Sequence, residues 1–193
     1  MDQPLATHIK RFVSLSDSDV EEICSRFTSL EIAKKQNILT TGESCKYLYF
    51  VGKGCLQLFS VDERGVEQTI QFALENWWMT DLEAFNRHGR ASFCIQALEK
   101  SQLLAIDKNS FDSLLSDHPL LEKYFRLIYE RAYSASLFRM KYFRLPKEEF
   151  YDNFYNSYPD FIQRIPQKVL ASFLGFTPEY LSELRRKKML SKK

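Results

Sequence analysis

The chain holds 193 residues, enough for one large or two small domains, each with a buried core. With 45% hydrophobic and 27% charged residues and no long apolar run, it reads as a globular protein without a membrane partner. The net charge of +2 hides a segregation: residues 164–193 carry eight Lys/Arg against two Glu, on a body of net −4, an electrostatic footprint for phosphate.

The N-terminus, Met-Asp-Gln-Pro-Leu-Ala-Thr-His, lacks a basic stretch followed by an apolar core, so a cytoplasmic protein is expected. Helices are predicted over 5–13 and 17–27. Ser16 caps the second, and Asp17, Asp19, Glu21 and Glu22 fill its early turns, where negative charge suits the helix dipole. Val20, Ile23 and Phe27 form its buried face. From about 29 to 107 the texture changes to short alternating or clustered apolar runs: Tyr47–Val51, Cys55–Val61, Glu67–Ala73, Ser92–Ala97 and Leu103–Ile106. Gly42, Gly54 and Gly65 fall between runs, and Asp62-Glu-Arg-Gly65 reads as a hairpin turn. Strands at this spacing predict a closed or rolled antiparallel barrel. Trp77 and Trp78 face opposite ways on an extended segment, so at most one is core; the other is expected to pack on the long helix rather than line a pocket.

Residues 108–115 return to a helical pattern, and a long helix follows Pro119 to about 143. Leu121, Phe125, Ile128, Ala132, Ala135, Arg139 and Tyr142 recur at alternating steps of four and three, the spacing of a coiled-coil seam. Arg139 sits awkwardly in such a seam unless it pairs or snorkels. Leu145-Pro146 ends the helix, and one further helix spans Lys147 to Tyr158.

The last thirty residues are the most informative. Pro166 suits a first helical position, and Val169, Leu170, Phe173 and Leu174 form an apolar stripe. Gly175 supplies a left-handed stop, and Thr177 caps a second helix beginning at Pro178. Leu181 and Leu184 face back to the first helix, leaving Ser182, Glu183, Arg185 and Arg186 outward. This is the build of a helix-turn-helix (HTH). Cys24, Cys45, Cys55 and Cys94 form no C-x-x-C and lie far in sequence from His8, His88 and His118, so buried thiols rather than a metal site are expected. No nucleophile–base pair or phosphate loop is visible, so no enzyme is expected.

Element order and motifs together resemble the CRP/FNR family of bacterial transcription factors. Three stretches carry the resemblance: Ile38–Glu43 with Tyr49–Leu58, Ala97–Phe111, and Ile165–Ser182. The last is similar to the HTH of the regulators common in Bacteroidetes. The resemblance implies an α+β fold: a cyclic-nucleotide-binding-type antiparallel β-roll with flanking helices (1–118), a dimerisation helix (119–145) and a C-terminal HTH domain (146–193) with a short or absent wing. It implies a homodimer through Leu121, Phe125, Ile128, Ala132 and Ala135, and double-stranded DNA as partner. RNA polymerase and an unidentified small effector are further candidate partners. Gln167, Thr177, Glu179 and Arg186 are assigned to phosphate or sugar, and Tyr180, Ser182, Glu183 and Arg185 to bases. Glu183 stands where the family has a mid-helix Arg. Phosphate contacts otherwise made by the wing are expected from the tail, Arg185 to Lys193. A signal at the roll is expected to act through the seam on the spacing of the two recognition helices.

The same resemblance locates an effector pocket at Thr80, Asp81, Leu82, Arg90, Ala91, Ser92 and Ser136. Thr80 and Asp81 stand where nucleotide-binding members have Gly-Glu, Ala91 stands on the Arg position, and Arg90 is one residue early. Binding of a cyclic nucleotide is therefore disfavoured, and no cofactor is assigned. An iron–sulfur sensor lacks its cysteine cluster, and a haem reading has only His88. The alternative function is a small-ligand sensor module acting on a protein partner, with a degenerate HTH.

Overall fold

The computed structural model describes residues 4–190. Helices α1 (Pro4–Lys10) and α2 (Asp17–Ser25) open the chain. Ser16 caps α2 as expected: its hydroxyl accepts from the Asp19 amide at 3.1 Å, and the Asp19 carboxylate reaches back to complete a capping box.

Eight strands among the described residues then form a roll. They are β1 (Thr28–Ile32), β2 (Asn37–Leu39), β3 (Tyr47–Lys53), β4 (Leu56–Val61), β5 (Glu67–Ala73), β6 (Trp78–Met79), β7 (Cys94–Ala97) and β8 (Ser101–Asp107). They pair antiparallel in two four-stranded sheets, β1-β8-β3-β6 and β2-β7-β4-β5, with helix α3 (Leu82–Asn86) inserted after β6. The five expected runs are all strands. The turn between β4 and β5 is the one read from Asp62–Gly65: Asp62 Oδ1 accepts from the Arg64 and Val66 amides, both at 2.9 Å, and Gly65 takes φ +76°. β1 and β2 lie outside those five runs, and β2 falls at the start of the Ile38–Glu43 stretch that the family resemblance places in the roll. Both are short, and most of β1 is exposed, so they carry little periodic signal.

The core between the sheets is built from Phe50, Leu56, Phe85, Ile95, Leu103 and Ile106, all inaccessible or nearly so. Of the two tryptophans, Trp78 is the core residue at 8% exposure, and it packs on the long helix, its ring 5.0 Å from that of Phe125. Trp77 is half exposed and is not the one packed there. The Trp78 indole Nε1 donates to the Tyr124 hydroxyl at 2.9 Å, and that hydroxyl also pairs with His8 Nδ1 at 2.7 Å. A buried polar chain thus ties α1, β6 and the long helix together.

Helix α4 (Lys108–Asp117) leads into that long helix, α5 (Leu120–Tyr142). The expected seam requires correction here. Leu121 and Phe125, at 1% and 5% exposure, belong to the core of their own roll, and Ile128 packs against it. They are not free to meet a second chain. Ala132 and Ala135 are exposed farther along the same helical row, which ends at Arg139 and Tyr142. Rows one residue apart are about 100° apart around a helix. The neighbouring row, Tyr129, Tyr133, Ser136, Met140 and Phe143, is exposed from end to end, with Tyr133 at 67% and Met140 at 62%. It keeps the same four–three spacing.

Four helices follow: α6 (Lys147–Ser157), α7 (Pro159–Arg164), α8 (Gln167–Leu174) and α9 (Pro178–Leu190). α7 was not expected. Pro159 ends α6 but also starts α7, because proline fits a first helical position as well as it stops a preceding helix. Within the described residues no helix is long and apolar enough to cross a membrane.

Candidate nucleic-acid interface

α8 and α9 are joined by Gly175-Phe176-Thr177. Gly175 takes φ +71°, ψ +31°, the left-handed conformation expected of it, and its amide bonds back to Ser172. Thr177 Oγ1 accepts from the Tyr180 amide at 3.2 Å, which caps α9. Leu170, Ala171 and Leu174 of α8 bury against Leu181 and Leu184 of α9, with Phe176 closing the turn. The side chain of Gln167 donates to the Pro178 carbonyl at 3.0 Å, so it staples the start of α8 to the start of α9 rather than standing free for phosphate.

The outward face of α9 differs from expectation at one residue. Arg185 lies four residues after buried Leu181 and shares its face. It is half-buried, donates to the Ile162 carbonyl at 3.2 Å and lies beside the Tyr151 hydroxyl. Arg185 therefore braces α9 against the neighbouring helices rather than standing on the outward row. Tyr180 is also half-buried, set edge-on to Phe176 at 5.5 Å with the Lys147 ammonium 5.4 Å from its ring. The exposed row is Glu179, Ser182, Glu183 and Arg186, and Lys168 of α8 is exposed as well.

The tail lysines are partly engaged within the chain. Lys187 pairs with Glu148 at 3.1 Å and Glu183 at 3.5 Å, and these carboxylates raise its pKa. Lys188 reaches Asp152 at 2.5 Å, with its ammonium 4.4 Å from the Tyr155 ring. Any phosphate must compete with these α6 carboxylates. The remainder of the expected tail contact, residues 191–193, lies outside the described residues.

The effector segment has a different character. Asp81 is buried and fully used: one carboxylate oxygen accepts from Ala84 N at 3.2 Å, capping α3, and the other from Ser92 N at 2.7 Å. Thr80 donates its hydroxyl proton to the Tyr47 carbonyl at 2.9 Å. Ala91 is buried, its amide bonded to the Glu43 carbonyl at 2.8 Å. Arg90 turns onto the Gly42 carbonyl at 2.8 Å. Leu82 and Ser92 are exposed. Ser136 sits on the exposed row of α5, its hydroxyl bonded to the Ala132 carbonyl at 2.9 Å on its own helix. The loop is thus held by its own hydrogen bonds, with Arg90 turned onto a backbone oxygen and Arg87 paired with Glu83 at 3.1 Å. Among the described residues no group of three His, Cys, Asp or Glu is placed to hold a metal, and the four cysteines are buried and unpaired. Burial raises the Cys45 thiol pKa above its ordinary value.

Residues 29–118 match the model of the cyclic nucleotide-binding domain. Similar solved structures extend over the helices as well. FixK2 from Bradyrhizobium japonicum superposes with a TM-score of 0.75 at 13% identity, covering 86% of this chain and 86% of that one. The Catabolite Activator Protein of Thermus thermophilus gives 0.57 at 21% identity, covering 98% of this chain and 88% of that one. CLP of Xanthomonas campestris, a c-di-GMP responsive global regulator, gives 0.67 at 12% identity, covering 92% and 93%. These likenesses establish the fold: a cyclic-nucleotide-binding β-roll, a long helix and C-terminal helices. No curated protein sequence matches the chain.

Proposed function

We propose that the chain is a homodimeric, sequence-specific DNA-binding regulator of transcription on the CRP/FNR plan, cytoplasmic and not an enzyme. Residues 1–118 serve as the effector domain, 119–145 as the dimerisation helix and 146–193 as the DNA-binding domain. The observation that carries this reading is the HTH itself: a three-residue turn with Gly175 left-handed, Leu181 and Leu184 buried, and the row Glu179, Ser182, Glu183 and Arg186 open to solvent. That row fits a major groove. Arg186 takes the guanine-reading role, Glu183 suits a cytosine amino group, and Ser182 accepts either partner. The segregation of positive charge to this end supports the same partner.

The second copy meets the exposed row of α5 through Tyr129, Tyr133, Met140 and Phe143. A groove of 550 Å³ beside it, lined in part by Phe111, Leu115 and Tyr129, extends the apolar surface toward α4. The two recognition helices then reach half-sites about one DNA turn apart. A cyclic nucleotide is disfavoured as the effector: the Arg90 guanidinium bonds the Gly42 carbonyl, each Asp81 oxygen already accepts a backbone amide, and a methyl group stands at Ala91. Calorimetry with cyclic AMP and cyclic GMP is expected to show no binding, and a micromolar Kd with either overturns that part. The test of the whole is titration of duplex DNA at several salt concentrations. Binding that weakens steeply with salt, and weakens further in Arg186→Ala, supports the regulator. Absence of DNA binding at low salt replaces it with the sensor module acting on a protein.

A further inference from the structure

The helix-turn-helix does not hang from the long helix alone. We infer that it is carried by the roll's edge strand: Arg139, Ser172 and an Arg164 clamp fix α8 against β5, so that this contact sets the angle at which α9 is presented. The inference rests on the DNA-binding reading above and assigns Arg139 and Arg164 as positioning residues.

β5 is the outer strand of its sheet, and an open strand edge has unpaired backbone groups that need covering. Its pairing with β4 also shifts register, from Leu58 opposite Gln71 to Phe59 opposite Thr69, so Ile70 is the extra residue of a bulge. The Arg139 guanidinium donates to the Ile70 carbonyl, approaches that of Thr69 at 3.5 Å and donates to that of Phe173, in the last turn of α8, at 3.0 Å. Its plane lies 4.0 Å from the centre of the Phe173 ring. Next to it, Ser172 Oγ accepts from the Thr69 amide at 2.9 Å and donates to the Glu67 carbonyl at 2.8 Å. One side chain of α5 therefore joins the bulge of β5 to the carbonyl end of α8, where positive charge suits the helix dipole.

The second anchor stands beyond the other end of the strand. Arg164 forks onto Glu75 at 2.8 and 2.6 Å and also pairs with Glu99, while Glu75 accepts from the Gly54 amide at 2.8 Å. Between the anchors, Phe72 of β5 packs on Phe161 and Phe173 at 5.0 and 4.8 Å. Two separate anchors, one at the bulge of β5 and one from Arg164 of α7 to Glu75 just past the strand, resist rotation as a single contact cannot. An apolar residue at 139 would pack α5 with less desolvation cost, since Arg139 has no carboxylate partner among its bonds and its Nε is unsatisfied. What arginine adds is the link to carbonyls on two separate elements. The exposed row of α9 stays open in this arrangement, so the contact orients the recognition helix without covering it.

Arg164→Glu sets a third negative charge against Glu75 and Glu99, and Glu75→Arg combined with Arg164→Glu restores attraction. Ser172→Ala removes the two bonds to β5 without introducing charge. Hydrogen exchange at the Thr69 amide reports docking, and affinity for duplexes whose half-sites are moved apart by one to three base pairs reports orientation. Arg164→Glu is expected to speed exchange at Thr69 and to lose the preference for one spacing, with the half-site motif unchanged. The double variant recovers both, and Ser172→Ala shows both losses in smaller measure should Arg164→Glu not fold. Unchanged exchange overturns the clamp, and faster exchange with an intact spacing preference overturns its role in positioning. An unmutated chain with no DNA preference removes the regulator reading and with it the positioning role, while exchange at Thr69 still decides whether the clamp holds.

Discussion

Tyr133→Glu should dissociate the dimer, whereas Ala132→Glu, one residue earlier, should act much more weakly. A fully buried tyrosine side chain removes at least about 150 Å² from water. With 67% of Tyr133 still exposed in the single chain, pairing would cover about 100 Å² more per copy, worth about 2.5 kcal/mol at about 25 cal/mol per Å². Two copies lose about 5 kcal/mol, a weakening of the dimer by between about 10³ and 10⁴-fold. Two glutamates facing one another across the contact add repulsion to this. Ala132 offers one methyl group per copy, so its loss from a dimer costs little. Sedimentation over a range of protein concentration measures both variants. A Tyr133→Glu dimer of unchanged affinity, or complete dissociation by Ala132→Glu alone, would show that the exposed row of α5 is not the contact and that the row of Ile128 and Ala132 is.

The remaining expectations concern the fold that holds this interface. Tyr124→Phe leaves the buried Trp78 Nε1 and His8 Nδ1 without their shared partner; at about 1–3 kcal/mol for each unpaired group, denaturant unfolding should show a loss of about 2–6 kcal/mol, and a loss under about 0.5 kcal/mol contradicts the network. His8 has a folded-state pKa below its ordinary 6.5, through burial first and then the charges of Arg11 and Arg131. Unfolding therefore takes up a proton between that lowered value and 6.5, so stability holds above pH 6.5 and declines as the pH falls below it; His8→Gln should flatten that decline, and an unaltered profile would assign it to other groups. Gly54 has φ +112°, and an added Cβ would sit 2.7 Å from Ser101 Cα. Gly54→Ala should cost about 1–3 kcal/mol in strain plus about 1–3 kcal/mol in overpacking. Gly65→Ala, with open space around it, should cost only about 1–2 kcal/mol, and equal losses in thermal unfolding would contradict the comparison.

Local chemistry was legible in the sequence wherever one residue decides a conformation. Ser16, Gly65, Gly175 and Thr177 each take the cap or turn read from them. What escaped was which of two adjacent helical rows faces where. On α5 both rows are apolar over much of their length, so spacing alone does not say which row the roll occupies. Arg139 was the residue out of place in the expected seam, and it belongs to the inward row because β5 and α8 offer it carbonyls from far along the chain. Arg185 misleads for a related reason: its charge suggests an outward face, although its four-residue step from Leu181 sets it on the buried side. The effector loop was legible as a departure from Gly, Glu and Arg, but not the pairing that closes it, because Asp81 with Ser92 and Arg90 with Gly42 are contacts between separate turns.

Selection of bound duplexes from a random pool tests the central claim most directly. The account predicts enrichment of a two-fold symmetric site, with half-sites about one helical turn apart, and loss of preference at one base pair per half-site in Arg186→Ala but a retained motif in Lys187→Ala. A pool that emerges without any enriched sequence, although the protein is folded and dimeric, would contradict it.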